Sequence, residues 1–437
     1  ALIELSNIYF NARLHDKNYS ISNEALIIAK QTPKIDPLKI SEIEYNMGTA
    51  QLNLGNIKKG KEHLYKSKKI LETHNNQKLD HVYNTYNSIG RAQSSLTQID
   101  SSTFYYKKAL ETLEKMDSTE VNKNYWRAIV NNNISLNFQN TGRTDEAIKY
   151  ITDAIVDFQK FTDVTKDESR KLRAKRFRLT TIDNLATFHE GIGEYNRAVE
   201  LLTYSYQEKL KFLSEDDSNV MFSLVLLGHA NLKTKNYKSA AKFTDKALSI
   251  INLNPENYSF LHSFTLTVRA SIYKALNDLE GAKRLYEESE TLYNKTFDGT
   301  YSADHLDTLI EMSKFYAKNN EKDKAIELAL KGYYYTKHKK FENDLIQFNH
   351  TQNLADVYLE LKDYKAALKY SEESLLFFKG NKIKPLTLTD SIQNDFRKPR
   401  AIFINAKSKY HLKDIKDAPF LTSLLSQIKE AISILER

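Results

Sequence analysis

No cysteine occurs anywhere in the 437 residues. That removes disulfides, thiolate metal ligands and cysteine nucleophiles, and it suits a reducing cytoplasm. Glycine and proline are sparse, at 12 and 6 residues. Little therefore interrupts helices. No apolar run approaches the roughly 18 residues that span a bilayer; the longest, Val220 to Leu227, is about two helical turns. Nor does one charge dominate. The 64 basic and 56 acidic residues leave a net charge of +8, which permits anionic partners without requiring them. An initiator methionine is also missing. The chain opens at Ala1 inside an amphipathic pattern, which reads as a truncated or processed product with room for an upstream signal peptide.

What is present is a folded composition, 41% hydrophobic, 27% charged and 11% aromatic, and an internal repeat. A small residue recurs at Ser6, Gly48, Gly90, Ser135, Ala186, Gly228, Ala270, Ser313 and Ala355. Most steps between these anchors are 42 residues; the longest, 51, separates Ser135 from Ala186. Nineteen residues after each anchor stands another Gly, Ala or Ser: Ala25, Ser67, Ala109, Ala154, Ser205, Ala247, Ser289, Gly332 and Ser374. Twelve residues after it, Asn18, Gly60 and Ser102 give way to alanine at 147, 198, 240, 282, 325 and 367. Such columns let two helices approach until their apolar faces interdigitate. Tyr9, Phe138, Tyr273, Tyr316 and Tyr358, three residues past the anchor, add bulk to the same face. The prolines fall between the helix cores.

This layout resembles the tetratricopeptide repeat, with a longer period similar to the kinesin-light-chain variety. The resemblance implies an all-α, right-handed superhelical α-solenoid of about nine helix pairs over residues 1–380. A degenerate tenth pair over 381–437 would cap it, after a loop beginning F-F-K-G-N-K. The last helix, 420–437, reads as one apolar stripe through Leu421, Leu424, Leu425, Ile428, Ala431, Ile432 and Leu435. Arrays of this kind also precede caspase-like CHAT proteases in bacteria. That resemblance would make these residues the regulatory arm of a defence protein whose protease lies elsewhere.

Catalytic patterns are absent from the sequence. Gly55 to Lys61 approaches a phosphate-binding loop, but a helical pattern precedes it and Glu62 stands where Ser or Thr should hold magnesium. The eleven histidines lack the i, i+4 pairing of a helical zinc site. The expectation is no enzyme, no metal and no cofactor.

In the family the first helices line a concave groove. Positions −6, −2, +1 and +5 from each anchor share one face. That face is asparagine-rich early, with Asn46, Asn53, Asn84, Asn133, Asn140 and Asn184, and amides of this kind can hold an extended backbone. Phe222, Leu226, Phe264 and Val268 then turn it apolar, supplying side-chain anchors. The two-cation carboxylate clamp of some relatives has no counterpart, because columns −6 and −2 carry no Lys or Arg. The partner read from this face is a protein or peptide. The alternatives are the peptide-sensing region of a bacterial signalling protein and an RNA or ribonucleoprotein binder. The latter would use Arg170, Lys171, Arg173, Lys175, Arg176 and Arg178, although Phe177 is the one aromatic among them for base stacking.

Overall fold

The computed structural model describes residues 1–74, 78–96, 98–117, 121–297, 301–338, 344–379, 397–414 and 416–436. Helices occupy nearly all of it, and no strand occurs among the described residues. Successive helices pair as the repeat requires. The first four pairs are α1 (Leu2–Asn11) with α2 (His15–Gln31), α3 (Pro37–Asn53) with α4 (Ile57–Thr73), α5 (Leu79–Ser95) with α6 (Ile99–Glu114), and α7 (Asn122–Asn140) with α8 (Thr144–Val164). Next come α9 (Glu168–Gly191) with α10 (Tyr195–Lys209), α11 (Ser218–Lys233) with α12 (Tyr237–Ile251), and α13 (Ser259–Ala275) with α14 (Leu279–Phe297). The last three are α15 (Ala303–Lys318) with α16 (Lys322–His338), α17 (Leu345–Glu360) with α18 (Tyr364–Leu376), and α19 (Lys398–Leu412) with α20 (Ala418–Leu435). Two compact units divide the chain: residues 1–139 with 149–178, and residues 140–148 with 179–437.

Every anchor, and every residue 12 or 19 positions after it, is buried. The reason is steric. A methyl group on Gly60 would stand 2.8 Å from the Gly48 carbonyl oxygen, and one on Gly48 would stand 3.0 Å from that of Gly60. In the first repeat the same contact is polar. Asn18 accepts hydrogen bonds from Ser6 (3.0 Å) and Ser22 (3.2 Å) inside the stack. The apolar faces these columns bring together form the core, such as Met312, Phe315, Leu328, Leu354 and Val357 around α15 to α17.

A further period was not read from the sequence. The residue seven past the anchor adopts positive φ at Arg13, Gly55, Gly142, Gly193, Lys235, Asn277, Asn320 and Lys362. Each ends a first helix. The N–H of the next residue then donates back five positions, as from Asn56 to Gln51, Glu194 to His189 and Asp363 to Tyr358, each at 2.9 Å. This is the Schellman closure, which satisfies the last carbonyls and reverses the chain. Gly55 thus serves a turn, not a phosphate loop.

The long step between Ser135 and Ala186 is absorbed as helix: α8 has 21 residues and α9 has 24. Pro37, Pro399 and Pro419 sit in first helical turns, where the missing N–H costs nothing. Pro385 and the loop expected after the ninth repeat, residues 380–396, lie outside the described residues. The apolar stripe expected on the last helix divides in two. Leu424, Ala431 and Ile434 are buried, whereas Leu421, Leu425, Ile428, Ile432 and Leu435 are exposed. One side of α20 packs on α19, and its outer side stays apolar, unlike the polar face of an ordinary terminal cap.

Candidate functional site

Within the second unit, the first helices α11, α13 and α15 and the end of α9 border a groove of about 650 Å³. Helical spacing decides what faces it. Leu226 and Val268, both two residues before an anchor, form the floor at 6% and 2% exposure. Phe264, one turn earlier on α13, is half-buried and borders the same space. Its ring lies 5.7 Å from the imidazole of His229 on α11.

Charged groups rise around this floor. Glu190 accepts from His229 at 3.1 Å, and Lys274 pairs with Glu311 at 2.8 Å. Burial opposes both charges of the second pair, but attraction wins. Glu311 is held below the usual carboxylate range by Lys274, and Lys274 is held above its ordinary value by Tyr286 and Glu311. Asp304 and Asp307, one turn apart at the start of α15, make no ion pair among the described residues. Burial first, and then Asp304, pushes the Asp307 carboxyl up to about 6. Burial likewise raises Asp304. Asp307 is itself exposed, so water moderates the shift and leaves its direction. The groove therefore joins an apolar floor to two carboxylates that lack a positive partner in contact.

A larger hollow of about 1170 Å³ lies among α16, α18, α19 and α20. Two ion pairs lie along it, Lys337 with Glu373 at 3.2 Å and Lys398 with Glu430 at 2.6 Å, and Lys369, Glu372, Lys379 and Lys409 also border it.

The expected residues divide accordingly. Leu226, Phe264 and Val268 meet in the groove, whereas Phe222 packs against the core around Met221, Leu224 and Leu227 and does not line it. Asn46 is not a groove residue. It is buried, and its amide donates to Ser6 at 2.9 Å and Asn7 at 3.0 Å. Asn353, at the equivalent place, donates to Ser313 at 2.9 Å. At these two places the −2 asparagine faces the preceding repeat's anchor, Ser6 or Ser313, and engages its hydroxyl. Asn53 is exposed and accepts from Arg91 at 3.3 Å. Asn84 and Asn133 are half-buried in the first unit, while Asn140 is exposed and Asn184 half-buried in the second. The amides thus do not form a single row.

The basic stretch lies on α9 in the first unit. Arg170, Arg173 and Lys175 are exposed, and Lys171, Arg176 and Arg178 are half-buried. Arg170 donates to Asn122 and covers the Phe161 ring at 5.3 Å, while Arg173 lies 5.7 Å from Phe177. Phe177 in turn stacks on Phe158. Aromatic area near these cations is thus already occupied by the fold. Sequence reasoning missed Glu190, His229, Lys274 and Asp304. Glu190 and Lys274 share a column, four residues past an anchor, and that regularity was the available signal. Among the described residues no cluster of three or more His, Asp or Glu could hold a metal, and no helix is long and apolar enough to cross a membrane.

The tetratricopeptide repeat family model matches residues 352–377, which include most of the ninth pair. No curated protein matches the chain by sequence. Among solved structures, the apo form of RapI is similar over 88% of this chain and 99% of its own, at 16% identity and a TM-score of 0.59. A Rap protein complexed with Competence and Sporulation Factor is similar over 86% and 96%, at 13% identity and a TM-score of 0.54. Repeats of a putative kinesin light chain from Podosopora anserina cover 46% of this chain and 94% of theirs, at 19% identity and a TM-score of 0.37. The Rap likenesses concern the fold. With the repeat at 352–377, they show a fold of tetratricopeptide-like helical repeats.

Proposed function

We propose that the chain is a peptide- or protein-recognition arm whose binding site is the groove of α11, α13 and α15. The observation that carries this reading is the groove's composition. An apolar floor desolvates a ligand side chain, and unpaired polar groups at its edge orient it. A fold-level likeness to a Rap protein crystallised with Competence and Sporulation Factor supports a peptide-sensing role within a larger regulatory system. Control of a caspase-like protease rests on the sequence resemblance alone. The ribonucleoprotein alternative draws on the α9 cations, whose neighbouring aromatics are already stacked.

The test is capture of peptides from a random library of extended sequences, followed by titration of the selected peptide. Phe264→Asp should weaken it by roughly tenfold or more, with the helical circular dichroism of the folded chain retained. Raising salt should weaken binding only modestly, because the apolar contact is not screened. Binding that ignores Phe264→Asp, but collapses with salt and with Arg173→Glu plus Lys175→Glu, would overturn the proposal in favour of nucleic acid.

A further inference from the structure

Resting on that groove reading, we infer that the ligand presents a cationic side chain, lysine or arginine, beside an apolar one. The cation would be received by Asp304 and Asp307 while its neighbour lies over Leu226, Val268 and Phe264.

The geometry begins with the two aspartates. They stand one helical turn apart at the start of α15, both on the groove wall, so their side chains rise from one face. Four of the other ionisable wall groups are committed to one another, whereas Lys233 and Lys235 make no ion pair among the described residues. Glu190 engages His229, and Glu311 engages Lys274. Lys233 on α11 borders the groove and attracts Asp307 at longer range, without an ion pair to it among the described residues. The Thr308 hydroxyl, next to Asp307 in the chain, donates to the Asp304 backbone carbonyl and not to a carboxylate. Two adjacent carboxylates at the edge of an apolar floor repel each other and shed water poorly. A guanidinium or ammonium group answers both problems at once, because its charge offsets theirs and its N–H groups can reach two acceptors. The raised carboxyls of Asp304 and Asp307 reflect the same cost of holding these charges. An acidic ligand would add a third negative charge where two already conflict.

The groups that face Asp307 set the pH response. Asp304 and Glu311 lie on its own helix, His229 and Lys233 on α11, Lys274 on α13 and Glu190 on α9. Lowering the pH protonates Asp307, whose carboxyl is raised above the ordinary carboxylate range. That change works against a bound cation.

The experiment uses the full chain and a positional-scanning library of amidated, acetylated hexapeptides. Wild type should enrich Lys and Arg at one position, next to Leu, Ile or Phe. Asp304→Asn plus Asp307→Asn should flatten that enrichment and weaken the best basic peptide by roughly tenfold or more. The same variant should keep or raise the melting temperature at pH 7, because it relieves a like-charge pair, so lost binding would not reflect lost folding. Affinity of wild type for that peptide should fall between pH 7 and pH 5. Peptides bound through Phe264 without preference for a cation, or with a preference unchanged in the double variant, would overturn this inference and leave the groove reading standing. Failure to capture any peptide would overturn the groove reading and this inference with it.

Discussion

Gly60 shows how little room a single position leaves. Its Cα lies against the Gly48 carbonyl oxygen and the end of Leu52, so a methyl group would meet the oxygen at 2.8 Å and Leu52 Cδ2 at 2.7 Å. Gly60→Ala should cost about 1–3 kcal/mol in chemical denaturation, although alanine is the better helix former. Lys362 is the opposite case, a side chain held at φ 62° where the turn would accept glycine. Lys362→Gly should stabilise the chain by up to about 1 kcal/mol; a loss of stability would contradict the closure described here. His305 and His350 are both 1% exposed. His305 stacks on Tyr293 with ring centroids 4.5 Å apart and has no hydrogen-bond partner at either nitrogen. Burial lowers each imidazole to about 4. Their neutral forms stabilise the fold fully above the unfolded value near 6.5. That contribution is lost as the pH falls from there towards 4. Urea midpoints measured between pH 7 and pH 4 should reveal a loss on the order of 2–3 kcal/mol per histidine, reduced in His305→Phe.

At the scale of elements, α9, α10 and α11 are tied by a charge that never reaches water. Lys209 and Asp183 are both fully buried. Lys209 donates to Asp183, to Ser223 at 2.8 Å and to the Asn219 carbonyl at 3.2 Å. Burial nevertheless raises the Asp183 carboxyl, outweighing the attraction of Lys209. Lys209→Met would strand that carboxylate and should cost about 3–5 kcal/mol. Adding Asp183→Asn should recover much of the loss in the same denaturation assay. A single variant as stable as wild type would show that the pair does not bind the three helices together. Elements were also the most legible part of the sequence. The small-residue columns show which helices pair, because close approach leaves only Gly, Ala and Ser at every anchor and nineteen residues after it. The left-handed closures were half visible, as Gly55, Gly142, Gly193, Asn277 and Asn320, but Arg13, Lys235 and Lys362 hid the period. Asn46 was misread because its column, which lines the groove at Leu226 and Val268, there meets the Ser6 hydroxyl of the preceding repeat. Asp304 escaped notice because it lies a turn before the column followed along the first helices.

For the whole molecule, stability in a stack of helix pairs is a sum over neighbours, so damage should stay near its source. Gly60→Ala should speed amide exchange in α3 and α4 and leave α15 to α18 unchanged. Uniform loss of protection through both units would contradict a nearest-neighbour stack. Binding is expected to be as local as stability. The most direct measurement is amide hydrogen exchange by mass spectrometry, with and without the best library peptide. The groove account predicts slowed exchange confined to α11, α13, the start of α15 and the end of α9, lost on Phe264→Asp. Protection centred on α9 residues 170–178, or on α18 to α20, would contradict it.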